Sequence, residues 1–312
     1  MDFSKIENKI LAAKTKNFRR VILVYNPRSS KAIRVKTEVL EPLRKIPGII
    51  TGKYEVRPTD VDDNAEKLSK LLQDGDIVLT AGGDGTSTIG LNGALLSKKD
   101  VRFYALPFGN FNDLPRTIEQ ASGKEIYPLE AIIDGKHYRY AACYFTIGMF
   151  AESTEIFDTE KTRKKLRKGN KGIFFSIKTL ANWYFKNKRK NFIPKFKFIS
   201  SEKTLEPDET KDISDYLAVN GISVAKMMKG GKFYEDKTNF LSTTKKLTSF
   251  PRLATFMAKS ILKRVPANIS TKDTIIFPNG ANVEIQAEGE YKKLKHVQEI
   301  IIKKSEKSIK IL

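Results

Sequence analysis

The chain has 312 residues, of which 40% are hydrophobic and 30% charged, a composition that excludes a disordered or fibrous polypeptide and supplies core material for about two domains. Its formal charge of +21 favours polyanionic neighbours: nucleic acid, an anionic membrane surface or a phosphorylated ligand. One cysteine, Cys143, excludes an internal disulfide, and the N-terminal stretch lacks the apolar core of a secretory signal, which points to the cytoplasm.

From the N-terminus, "RRVILVYNP" reads as a buried strand that runs into a turn at Asn26-Pro27. Val35, Val39, Leu40 and Leu43 then recur at helical spacing, and "GKYEVRPT" offers a second strand. Ala65, Leu68, Leu71 and Leu72 mark another helix, Gly75 to Ala81 a third strand, Thr86 to Leu96 the next helix, and Val101 to Pro107 a fourth strand. Such alternation predicts a doubly wound α/β domain over residues 1–126, with a parallel sheet and ligands at the carboxyl ends of its strands. After Tyr127 the texture becomes extended and alternating, as in "YPLEAIIDGKHYRYAACYFTIGM" and "DTIIFPNGANVEIQAEGEY", so residues 127–299 read as a β-rich, sandwich-like second domain. Two helices interrupt it, from Gly172 to Phe185 and from Arg252 to Leu262. The most apolar stretch, Tyr140 to Ala151, is far shorter than the roughly 18 to 20 residues of a spanning helix, so membrane contact is expected to be peripheral.

The stretch "LTAGGDGTSTIG" leaves the third strand through Gly82, Gly83 and Gly85, whose conformational freedom lets a ligand approach bare main chain. The helix that follows adds unpaired amides and the positive end of its dipole, a site for phosphate oxygens. Asp84 is the oddity, since a carboxylate beside phosphate is unfavourable unless it binds a metal or handles a proton. The alternative is a plain turn in which Asp84 serves as a helix cap.

"NPRSSK" at Asn26 to Lys31, "GGDGT" at Gly82 to Thr86 and "LPFGNFNDLPR" at Leu106 to Arg116, in that order and spacing, resemble the diacylglycerol kinase catalytic domain family, which includes bacterial soluble lipid kinases and sphingosine kinases. Weaker echoes continue through "FTIGMFAE", "AVNG", "KGG" and "QAEGE", so the resemblance covers nearly the whole chain; in relatives the C-terminus returns to the first domain, here residues 300–312. The resemblance implies an ATP- and Mg²⁺-dependent kinase that phosphorylates a lipid hydroxyl. Asn26, Arg28, Ser29 and Ser30 would line one side of the nucleotide site, with the Arg28 guanidinium suited to phosphate oxygens. Thr59 would contact the adenosine side, and Gly82, Gly83, Asp84, Gly85 and Thr86 would cradle the phosphates. Asn110, Asn112 and Asp113 would close the third side, although Asn112 and Asp113 serve equally well to hold the turn itself. The acceptor hydroxyl must lose a proton as it attacks the γ-phosphoryl group. The family places its base in a late Asp-Gly-Glu motif, here Glu288-Gly289-Glu290, which makes Glu290 the candidate base, with Asp84 as alternative. Glu288 joins the site by motif position, but by itself reads as a surface carboxylate on a β-turn.

Several positions depart from the family pattern. Asn110 replaces a threonine, Phe111 a small residue, and Thr88 and Ile89 stand where an asparagine and a glutamate are common. The acidic Asp-Gly-x-Leu-Asp element, which in bacterial members is associated with magnesium, is missing after Gly231, where "KFYEDKTNFLSTTKK" stands, so no metal ligands are assigned.

On the lipid side, Ile173, Ile177, Leu180, Ala181 and Tyr184 share a helical face flanked by basic runs. That face is expected to pack on the β domain, while the basic flanks suit anionic headgroups. His137 and His296 have no ligand-spaced partners and read as structural. The reading is therefore an ATP-dependent lipid kinase at the cytoplasmic membrane surface, without a nucleic-acid partner and with a homodimer as candidate assembly. The competing readings are a diverged homologue that binds nucleotide or anionic lipid without turnover, and an NAD kinase.

Overall fold

The computed structural model describes residues 3–15, 17–18, 20–109, 112–158, 172–187, 190, 192–225 and 228–312. They form two compact units, 1–127 with 306–312, and 128–305.

In the first unit, α1 (Ser4–Lys14) buries Ile6, Ile10 and Ala13 along one stripe. The strands β1 (Arg20–Tyr25), β2 (Ile50–Glu55), β3 (Asp76–Gly82), β4 (Arg102–Pro107) and β5 (Glu125–Ile126) form one sheet, joined by the C-terminal strand Ile309–Ile311. Its order is β2-β1-β3-β4, then the C-terminal strand, then β5. All pairings are parallel except that of the C-terminal strand with β5. Because β1 lies between β2 and β3, the connections leaving β1 and β3 diverge to opposite sides. Open α/β sheets bind ligands at this switch point, outside the carboxyl ends of those strands. The loops found there are "NPRSS" and "GGDG".

The helices between the strands are α2 (Ala32–Val35), a π-type turn (Lys36–Leu40), α3 (Glu41–Arg44), α4 (Val61–Ser69), α5 (Asp84–Ser97) and α6 (Asp113–Gln120). β3 is buried along its whole length, as a central parallel strand covered on both faces must be. α5 is buried nearly all round, from Thr86 through Leu95. Close packing against β3 depends on Gly90, where a Cβ would stand 2.1 Å from Thr80 Cγ2.

The second unit is antiparallel. It contains β6 (Leu129–Ile133), β7 (Lys136–Ala141), β8 (Tyr144–Gly148), β9 (Lys197–Ile199), β10 (Thr204–Leu205), β11 (Asp215–Val219), β12 (Ser223–Val224), β13 (Met228–Lys229), β14 (Phe240–Lys245), β15 (Asn268–Ser270), β16 (Lys272–Ala287) and β17 (Glu290–Lys304). The main sheet runs β15-β14-β11-β8-β16-β17-β6-β7. The long hairpin β16–β17 is its spine, with β8 paired to one end of β16 and β9 to the other. Phe145, Ile147, Phe196, Phe198, Tyr216, Ile285 and Ile300 belong to one buried core. Among the described residues, three α-helices accompany the sheet: α7 (Met149–Asp158), α8 (Gly172–Asn187) and α9 (Phe250–Leu262). Leu180 and Tyr184 of α8 are buried, as an inward apolar face requires, whereas Phe185 is half-exposed and stacks on Phe250 with ring centroids 5.0 Å apart. The side chains of Ile173 and Ile177 and the basic run 160–171 lie outside the described residues. No helix among the described residues is long and apolar enough to cross a membrane.

Candidate functional site

In the first turn, Asn26 at the end of β1 accepts the Arg28 N–H on its Oδ1 at 2.9 Å, and its carbonyl accepts the Ser29 N–H at 3.1 Å. This Asx turn fixes the loop locally and leaves Arg28 and Ser30 exposed. An open hollow of about 560 Å³ lies between Pro27-Arg28 and the Val56-Arg57-Pro58 stretch. Thr59 follows directly, exposed, and its hydroxyl accepts an N–H of Asn64 at 2.9 Å.

In the second turn, Gly83 is the N-cap of α5 in an extended conformation and offers no side-chain cap. The first helical hydrogen bond runs from the Ser87 N–H to the Gly83 carbonyl at 3.0 Å. A helix of 14 residues thus presents first-turn amides and its dipole end at a half-buried position formed by Gly83, Asp84 and Gly85. That is the donor set phosphate oxygens require.

The third turn is locked onto the second. Asn112, held left-handed at φ +59°, accepts the Gly109 N–H on Oδ1 at 2.7 Å and donates Nδ2 to the Gly109 carbonyl at 3.1 Å. Gly109 has no room for a side chain, since a Cβ would stand 2.6 Å from Gly83 Cα. Asp84 completes the lock: Oδ2 accepts the Asn112 N–H at 3.1 Å, and Oδ1 the Leu114 N–H at 3.4 Å. The carboxylate thereby caps α6 rather than its own helix, and its charge is met by backbone amides and the α6 dipole. Asp113, the first residue of α6, is buried. Asn110 lies outside the described residues. Lys31, which has no assigned role in the sequence reading, joins the first turn to the third, its Nζ donating to the Gly109 carbonyl at 3.3 Å. Its only sequence signal is its place at the end of "NPRSSK".

The carboxylates of the second unit occupy the tip of the β16–β17 hairpin. Glu288 and Gly289, at φ +54° and +84°, are the two central residues of the connection, with Ala287 paired to Glu290. Two successive positive φ values match the twist of a tight hairpin, and Gly in the second place is the usual solution. Glu288 is not the surface carboxylate expected of a turn residue: it is 1% exposed, and its Oε1 accepts the Cys143 N–H at 2.5 Å. The longer side chain reaches the β7–β8 turn and clamps the hairpin tip to it. Glu290, the first residue of β17, is half-buried. Nearby on β16, Glu284 accepts Lys293 at 3.3 Å, and Glu152 of α7 pairs with Lys190. Burial, then repulsion from Glu284, pushes the Glu152 carboxyl above its ordinary range. The same pattern pushes Tyr291 up to about 12, through burial and the surrounding glutamates.

Residues 20–144 match the sequence model of the diacylglycerol kinase catalytic domain. Curated relatives include a diacylglycerol kinase of Staphylococcus carnosus strain TM300 and one of Staphylococcus saprophyticus, each 31% identical over 102 residues, or 32% of this chain. That match spans about a third of each relative's length, 33%. Among solved structures, a diacylglycerol kinase of Bacillus anthracis strain Sterne aligns over 92% of this chain and 94% of its own, at 16% identity and a TM-score of 0.61. A second structure from that strain reaches a TM-score of 0.64 over 94% of this chain and 97% of its own, also at 16% identity. At such identity the likeness is one of fold. Residues 20–144 of this chain are thus similar to the diacylglycerol kinase catalytic domain, and the chain has a fold that the Bacillus proteins share.

Proposed function

We propose that this chain transfers the γ-phosphoryl group of ATP to the hydroxyl of a lipid alcohol, with diacylglycerol as the first candidate acceptor. The observation that carries the reading is the N-terminus of α5, capped by Gly83 without a side chain, at the β1/β3 switch point, flanked by two turns that Asp84 and Lys31 hold in place. Gly83, Gly85 and Thr86 bind phosphate oxygens through the main chain, Arg28 reaches them from the exposed first turn, and Thr59 borders the adenosine side. Glu290 takes the proton of the acceptor hydroxyl as the new P–O bond forms and the bond to the β-phosphate oxygen breaks. Glu288 positions it by fixing the hairpin tip.

Mg²⁺ arriving with the nucleotide would supply neutralisation of charge on the transferred group. No cluster of three or more aspartate, glutamate, histidine or cysteine side chains suited to a metal converges among the described residues, and a magnesium ion carried on the nucleotide phosphates would need few protein ligands. On this reading the chain works at the cytoplasmic membrane surface, a setting supported by its net charge of +21, which favours anionic lipid.

The test is transfer of labelled γ-phosphate from ATP and Mg²⁺ to a panel of lipid alcohols in mixed micelles, with NAD as a further acceptor. A labelled lipid is expected, reduced by roughly 10²-fold or more in Glu290→Gln while ATP binding persists. Labelled NAD would assign an NAD kinase instead. ATP binding without any labelled acceptor would favour the non-catalytic homologue, a reading motivated by the missing Asp-Gly-x-Leu-Asp element.

A further inference from the structure

The segment that follows Gly231 in place of that acidic element forms a single 3-10 turn, Phe233–Glu235, ahead of β14. Beyond β11, the carbonyls of Asn220, Gly221 and Ile222 accept the N–H groups of Phe233, Gly231 and Gly230 at 3.1, 2.9 and 2.8 Å. Asp236 turns both carboxylate oxygens on its own loop. Oδ1 accepts the Thr238 and Asn239 N–H groups, each at 2.8 Å, and Oδ2 accepts Asn239 Nδ2 at 3.0 Å. Against the upward push of burial, these bonds hold its carboxyl down at about 2. Glu235 points to an exposed position. Chelating carboxylates of the kind a divalent cation needs are therefore not assembled here, and the segment does not fit the metal that the family resemblance implies.

A different cation source is present. Lys304, near the end of β17, is 5% exposed, and its Nζ donates to Asn220 Oδ1 at 2.6 Å and to the Phe233 carbonyl at 2.9 Å. Asn220 is oriented for this by its Nδ2, which donates to the Ala142 carbonyl at 2.9 Å, so that its oxygen faces the amine. A side-chain oxygen and a main-chain oxygen, with the Asp236 charge behind them, form the hard-oxygen environment of a cation, and the amine fills it from within the chain. Burial lowers the Lys304 amine to about 7, with Asp236 opposing that shift. Even as a neutral amine it retains two N–H donors, enough for Asn220 Oδ1 and the Phe233 carbonyl.

We propose that the Lys304 amino group takes the structural place of a divalent cation in the second unit, tying β17 to Asn220 and to the Phe233–Glu235 turn, so that this unit folds without a bound metal.

The test uses the full chain without nucleotide. Thermal unfolding is recorded with EDTA, and with millimolar Mg²⁺ or Ca²⁺. The expected result is one melting midpoint in all three. A midpoint that falls in EDTA and returns with either ion overturns the proposal. Independently, amide hydrogen exchange is compared between the natural chain and Lys304→Met, with Lys304→Gln read instead should the methionine variant not fold. Exchange at Phe233 and Asp236 is expected to quicken by about tenfold or more. Unchanged protection there would mean that the amine ties nothing down.

Discussion

At position 84 a carboxylate stands beside the turn proposed to hold phosphate, and its two oxygens face the amides of Asn112 and Leu114. Its negative charge is thereby spent on a helix N-terminus, and the α5 amides beside it remain available to an anion. Asp84 is then a positioning residue whose loss separates the second and third turns. In Asp84→Asn one oxygen is replaced by a donor that opposes an N–H, at a cost of about 2 kcal/mol, which corresponds to roughly 30-fold faster hydrogen exchange at the Asn112 and Leu114 amides. Equal exchange in the two proteins would show that the carboxylate does not hold the turn, and would return Asp84 to the role of proton acceptor. The sequence identified Asp84 as the anomaly of its loop and even named capping as a solution. It could not show that the capped helix begins 29 residues later, at Asp113, because that contact is tertiary. Glu288 was hidden for a similar reason. A hairpin turn residue is ordinarily exposed, whereas this one is buried and meets the Cys143 N–H, a partner 145 residues away in the chain.

At the scale of elements, Asp215 links β11 to α7. Its Oδ1 accepts the Phe150 N–H in the first turn of α7 at 2.9 Å, and its Oδ2 accepts the Ser214 hydroxyl at 2.7 Å. Burial outweighs these bonds and pushes the carboxyl up to about 7. A carboxyl whose folded pKa lies above its unfolded value stabilises fully below the unfolded value, about 4, and loses that contribution as pH rises through about 7. Stability is therefore expected to fall between pH 4.5 and 6.5. Glu152 and Asp273, also raised by burial, add slopes of the same sign, so the informative comparison is with Asp215→Asn. Melting midpoints across that interval should decline less steeply in the variant, and parallel declines would remove Asp215 as the cause. The elements themselves were largely legible. Apolar runs of strand length alternating with helical periodicity led to the parallel sheet, and the helices expected over 172–185 and 252–262 are present over 172–187 and 250–262. The π-type turn at Lys36–Leu40 was not legible, since its apolar spacing is that of an ordinary helix.

Across the whole molecule, the charge of +21 is the property that composition announces and that no single site absorbs. Ion pairs at the surface, such as Arg34–Glu38 and Lys70–Glu66, leave that excess untouched, because 57 lysines and arginines outnumber 36 aspartates and glutamates. The second unit adds an apolar feature that the sequence could not reveal, because its two halves are distant in the chain: Phe185 and Phe250 stack while remaining 50% and 44% exposed. Leu262, at the end of α9, is 73% exposed, and Arg252, Lys259, Lys263 and Arg264 are exposed on or just beyond the same helix. Aromatic groups that enter the headgroup region, together with cations worth about 1 kcal/mol each near an anionic leaflet, would hold the protein reversibly at a membrane. Co-sedimentation with vesicles containing phosphatidylglycerol should accordingly be strong at low salt and weaken steeply as NaCl is raised, because exposed charges are screened over about 10 Å at 0.1 M. Replacing Phe185 and Phe250 together by serine should weaken binding by about tenfold at fixed salt, the loss expected from two half-exposed rings. An unaltered affinity in that variant would leave the charge as the sole attraction, and equal binding to an oligonucleotide of matched charge would show that it does not select lipid.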